Sequence, residues 1–140
     1  MADNLVYMYG KLCKAIEILI TNRHDVRNRV WVAANELSLI QADGLPPSLR
    51  ADITWIHEMM NRYPADDLRK SSLAATYHRT RNSTAEKIAR RIWTLFHLMQ
   101  SELEARQQWA ADLRGTKRES PLVIVHDDLE VTRRRKPKRT

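Results

Sequence analysis

The sequence has only three glycines, where a chain of 140 residues ordinarily carries roughly ten. A fold of strands and tight turns is hard to build with so few, and helices are favoured. One cysteine, Cys13, excludes an internal disulfide framework and any cysteine-based zinc site. No apolar run approaches the roughly 18 residues of a membrane span, and the start lacks the basic region and apolar stretch of a signal peptide. A cytoplasmic, reducing setting without membrane contact is the expectation. The familiar site motifs are missing as well: no G-x-x-x-x-G-K-[ST] loop, no G-x-G-x-x-G after a strand, no H-E-x-x-H and no G-x-S-x-G elbow. Neither metal nor cofactor is expected, and catalysis by those routes is disfavoured.

What remains is apolar residues at helical spacing and an excess of arginine. Some 43% of the residues are apolar, enough to bury a core, and the length corresponds to one domain with a tail. Leu5, Tyr9, Leu12, Cys13, Ile16, Leu19 and Ile20 recur at steps of three and four, which predicts a first helix over about residues 3 to 21. Asp25 suits the positive end of a second helix that carries Val26, Val30, Ala33, Ala34, Leu37 and Ile40 and runs to about Gln41. Gly44, Pro46 and Pro47 mark a break. A third helix follows, with Leu49, Ile53, Ile56 and Met60 on one face and Trp55 and Met59 on another. A weaker helical stretch spans about Leu68 to Thr80.

Ser83, Thr84, Ala85 and Glu86 have capping-box spacing and predict a sharp helix start. From there Ala85, Ile88, Ala89, Ile92, Leu95, Phe96, Met99 and Leu103 form one stripe of a helix reaching about Leu113. The expected fold is all-α: an antiparallel bundle of four or five helices over residues 1–114, then a linker, a short apolar segment and a flexible basic tail over 115–140. In that tail the Leu122, Val123, Ile124, Val125 run is one that a partner's sheet edge would accept as an added strand. Arg133, Arg134, Arg135, Lys136, Lys138 and Arg139 place six charges in seven residues. Of the formal charge of +7, the tail from 115 carries +4 and the preceding part +3. Such an arm neutralises phosphates without reading sequence.

A second basic cluster, Arg79, Arg81, Lys87, Arg90 and Arg91, surrounds the predicted start of the last helix, where guanidinium groups and free amides suit a phosphate. On the same helix Glu86, Arg90, Trp93 and His97 share a stripe facing away from the predicted core. Its plain reading is a solvated face, with Arg90 paired to Glu86 and covering Trp93. An exposed Trp beside Arg is also the composition of an association hot spot, which makes Trp93, His97 and Glu86 candidate interface residues. Arg90 or Arg91 followed at short spacing by His97 resembles the HEPN family of all-helical ribonucleases. That resemblance implies a catalytic set of Arg90, Arg91 and His97, with His as general acid or base, Arg on the phosphate, and no metal. The sequence departs from the family in having Ile92 after Arg91, and Glu86 where a His would follow Arg81, Asn82, Ser83, Thr84 and Ala85.

The preferred expectation is therefore a non-enzymatic binding module, a small subunit of a bacterial or phage-type complex. It would touch RNA or DNA through the two basic clusters and a protein partner or second copy through the Trp93 face. The alternatives are a HEPN-like ribonuclease of a defence or toxin system and a purely protein-binding adaptor.

Overall fold

In the computed structural model, which describes residues 5–115, the apolar periodicities resolve into five α-helices. They are α1 Leu5–Thr21, α2 Val26–Leu37, α3 Pro47–Met60, α4 Ser72–Arg79 and α5 Asn82–Arg114, with a 3-10 turn at Ala42–Gly44. The described residues contain no strand, so the all-α class is met. The Leu122 to Val125 run and the Arg133 to Arg139 cations lie outside the described residues. The chain divides into two units, Met1–Ala105 and Arg106–Thr140.

Within the first unit the core is one apolar cluster drawn from α1, α2, α3 and α5. Lys11 pairs with Glu36 at 3.6 Å, joining the start of α1 to the end of α2. Arg29 Nη1 donates to the Leu19 carbonyl at 3.0 Å, joining the end of α1 to the start of α2. The two helices are therefore antiparallel. The expected α3 face, Leu49, Ile53, Ile56 and Met60, is buried, as are Ala85, Ile88, Ile92, Leu95 and Met99 of α5. Met8 of α1 packs its terminal methyl against Gly44, where a Cβ would meet its Cε at 2.8 Å and the flexible Met side chain would have to shift.

Several boundaries differ from the periodicity for local reasons. Asp25 is the N-cap of α2, its carboxylate accepting from the Asn28 amide at 3.0 Å. The helix stops at Leu37, not Gln41. Ile40 is still fully buried, because a turn returns its amide to the Leu37 carbonyl at 3.1 Å. His57 Nε2, carrying the proton, donates to that same carbonyl at 3.0 Å and satisfies the end of α2 from α3. Residues 68–71 are not helical: the Asp66 carboxylate gathers the amides of Leu68 and Arg69, Leu68 is exposed, and α4 begins only after its N-cap Ser71. Ile20 belongs to the predicted stripe of α1, yet it is 71% exposed, while Met8 and Ala15 take core places.

The expected capping box is displaced. The fifth helix starts at Asn82, so Ser83 lies inside its first turn, and the Arg81 carbonyl accepts from the amides of Thr84 and Ala85 at 3.1 and 3.0 Å. The Asn82 side chain serves another helix instead: its Oδ1 accepts from the Arg27 amide in the first turn of α2 at 3.3 Å.

In the second unit the described end of α5 carries Trp109 and Leu113 exposed, and Gln108 donates to Asp112 at 3.0 Å. Among the described residues no helix is long and apolar enough to cross a membrane.

The burial pattern separates two residues that the periodicity treated alike. Leu95→Ala should cost about 2–5 kcal/mol by leaving a cavity, and Ile20→Ala no more than about 0.5 kcal/mol, measured by urea unfolding of the full chain.

Candidate nucleic-acid interface

The candidate surface is assembled at one end of the first unit by the opening turns of α2. Arg29 reaches the Leu19 carbonyl in the last turn of α1. Arg27 Nη1 donates to the Thr80 carbonyl just past α4 at 3.2 Å, and its guanidinium lies over the Tyr77 ring at 4.7 Å. Together with the Arg27 amide on Asn82, these bonds hold the start of α2, the end of α4 and the start of α5 together, across more than 50 residues of sequence. Residues 23–29 and 78–87 then contribute Arg23, Arg27, Arg29, Arg79, Arg81 and Lys87 against Asp25 and Glu86.

The geometry sorts these cations into two groups. Arg27 and Arg29 are half-buried on carbonyl oxygens, with their Nε atoms buried and lacking a hydrogen-bond acceptor. Arg79 lies over the Tyr63 ring at 4.8 Å. It also stands close enough to Asp66 to help lower that carboxyl's pKa, whose main cause is the bond from the Arg69 amide. Arg91 Nη1 pairs with Asp52 Oδ1 of α3 at 3.1 Å, and its guanidinium covers the Trp55 ring at 4.4 Å. Arg27, Arg29 and Arg91 thus spend their charge on the fold, whereas Arg79 is exposed above its ring. Arg23, Arg81, Lys87 and Arg90 are exposed, and among the described residues none of the four has a carboxylate within ion-pairing distance. Glu86 is exposed beside them.

No protein-family profile, curated protein or solved structure matches this chain. The likeness to HEPN ribonucleases thus rests on the Arg90, Arg91 and His97 spacing; Arg90 and His97 share the exposed face of α5, and Arg91 is turned to α3. Arg91 faces α3 through Asp52 and Trp55, whereas His97 sits edge-on to Trp93 at 4.3 Å and to Phe96 at 5.6 Å. Among the described residues no group of three or more His, Cys, Asp or Glu is placed to hold a metal ion.

The outward stripe of α5 is as exposed as its angular position requires: Glu86, Lys87, Arg90, Trp93, Thr94, His97 and Ser101 all face solvent. The ring contacts of Trp93 come from His97 and Phe96, not from an Arg90 guanidinium. Phe96 in turn stacks on Tyr9 of α1, with centroids 5.5 Å apart and planes 14° apart. Burial raises the Tyr9 pKa, helped by its bond to Cys13 and by the charges of Cys13 and Glu104. Sequence reading missed Arg23, Arg27 and Tyr9 as parts of this surface. The arginine-rich opening of α2 was visible, but its contact with the α4–α5 junction joins residues far apart in sequence.

The division into committed and free cations has a direct consequence. Arg91→Ala should lower stability by about 1 kcal/mol through loss of the Trp55 cover and of a partly exposed ion pair, while Arg81→Ala stays within about 0.5 kcal/mol. Urea midpoints of the two variants decide it, and equal losses contradict the division.

Proposed function

We propose that the chain is a non-enzymatic module that binds nucleic acid through the phosphate backbone, using the basic end of its helical unit. One observation carries the reading: Arg23, Arg81, Lys87 and Arg90 stay exposed and unpaired among the described residues while Arg27, Arg29 and Arg91 are used to build the surface under them. Unpaired guanidinium and ammonium groups held on a rigid support are what phosphate contact needs, and the support costs no ordering when the partner arrives. The six cations from Arg133 to Arg139 add a sequence-independent contribution. The lone cysteine agrees with action in the reducing cytoplasm. The alternative ribonuclease reading would rest on Arg90 and His97, since Arg91 is engaged by Asp52 and Trp55.

Binding of this kind releases counterions, so its strength must depend on salt. The full chain should bind a fluorescein-labelled 20-mer, with log affinity falling against log salt at a slope of about −3 to −6. Arg81→Ala with Lys87→Ala should make that slope shallower by roughly 1.4 to 1.8, and removal of residues 131–140 should reduce it further. Absent binding, or binding indifferent to salt, eliminates the proposal.

A further inference from the structure

The phosphate contacts above do not distinguish paired from single strands, and they leave Trp93 without a role. Trp93 is 49% exposed, with Phe96 against its ring and the exposed Arg90, Thr94 and His97 beside it. A protein hot spot would normally sit in a broad exposed apolar centre, and the exposed residues beside Trp93 on this face, Arg90, Thr94 and His97, are polar or charged.

The ring is also held in place. Tyr9, Phe96 and Trp93 form a ladder of nearly parallel rings. Phe96 stands 5.5 Å from Tyr9 and 5.7 Å from Trp93, with interplanar angles of 14° and 20°. The two inner rings are half-buried and packed against the core, and Trp93 is the outer one. His97 braces it edge-on, with centroids 4.3 Å apart. A further planar ring added to such an array gains stacking energy with little loss of side-chain freedom. The cations are on the correct side: at 100° per residue Lys87, Arg90, Trp93 and His97 fall in one sector of about 120°, and Trp93 lies about 9 Å along the axis from Lys87.

We infer that Trp93 is a stacking platform for a base of single-stranded nucleic acid whose backbone runs over Arg90 and Lys87 towards Arg81. Only an unpaired strand presents a free base face to an aromatic ring, so the platform selects single strands over duplex. This inference rests on the nucleic-acid reading above and adds the substrate class to it.

The test uses the full chain and fluorescein-labelled (dT)20, (U)20 and a 20-base-pair duplex, read by anisotropy. Trp93→Ala should weaken binding of the single strands about tenfold or more, leave the duplex affinity unchanged and leave the salt slope unaltered, since no phosphate contact is lost. Trp93→Phe should retain most of the single-strand affinity. Quenching of a 2-aminopurine placed within (dT)20 by the unmodified protein gives a second reading that needs no variant. The (dT)20 and (U)20 arms report whether DNA or RNA is preferred. Single-strand affinity unmoved by Trp93→Ala, or a 2-aminopurine that is not quenched, overturns the stacking platform while salt-dependent binding keeps the phosphate reading. A chain that binds none of the three overturns both.

Discussion

One residue, Arg27, ties three helix ends of the first unit together. Its amide is held by Asn82 at the start of α5, its guanidinium satisfies the Thr80 carbonyl beyond α4, and the same group lies on the Tyr77 ring. Helix ends leave carbonyls and amides unsatisfied, and a short helix such as α4, eight residues long, has little packing with which to offset that cost. Arg27 closes two ends at once. Arg29, half a turn further along α2, does the same for α1 through Leu19. The opening turns of α2 are thus a clamp that draws three other helix ends to one place. It sets the Arg79 to Lys87 cations beside those of the α1–α2 connection.

The clamp is made of arginine and not lysine for a physical reason. Arginine can bond carbonyls while keeping its guanidinium plane stacked on a ring, and three of the arginines do stack: Arg27 on Tyr77, Arg79 on Tyr63 and Arg91 on Trp55. Lysine lacks that planar fork and would do this less well. The exposed set that remains, Arg23, Arg81, Lys87 and Arg90, is small enough to avoid strong self-repulsion and continues along α5 to the one exposed aromatic of the ladder. Electrostatic capture at the end of the unit and stacking further along α5 are then two parts of one surface.

Much of the fold was legible because it follows from local periodicity. The apolar faces of α3 and α5 were read at the correct residues, and Asp25 and Pro47 marked helix starts through mechanisms that act within one turn. The reading failed where a distant partner decided the outcome. Helix α2 ends early because His57 and a turn satisfy the Leu37 carbonyl. Ser83 lost its capping role because the helix begins one residue sooner, at Asn82, whose side chain is engaged by α2. The candidate site shows the same division. Exposure of Glu86, Arg90, Trp93 and His97 followed from helical angle alone. That Arg91 serves α3, that Arg27 belongs to the basic end and that Tyr9 extends the ring ladder all depend on helix packing, which periodicity does not specify.

The central claim is that one end of the helical unit, continued along the outward face of α5, receives the nucleic acid. Amide chemical-shift mapping of the isotope-labelled full chain, titrated with an unlabelled single-stranded 20-mer at low salt, tests it residue by residue. The account predicts that shifts concentrate in residues 23–29 and 78–97 and spare the α3 face around Ile53 and Ile56. Shifts confined to residues beyond 115, or spread evenly over the described helices, would contradict it.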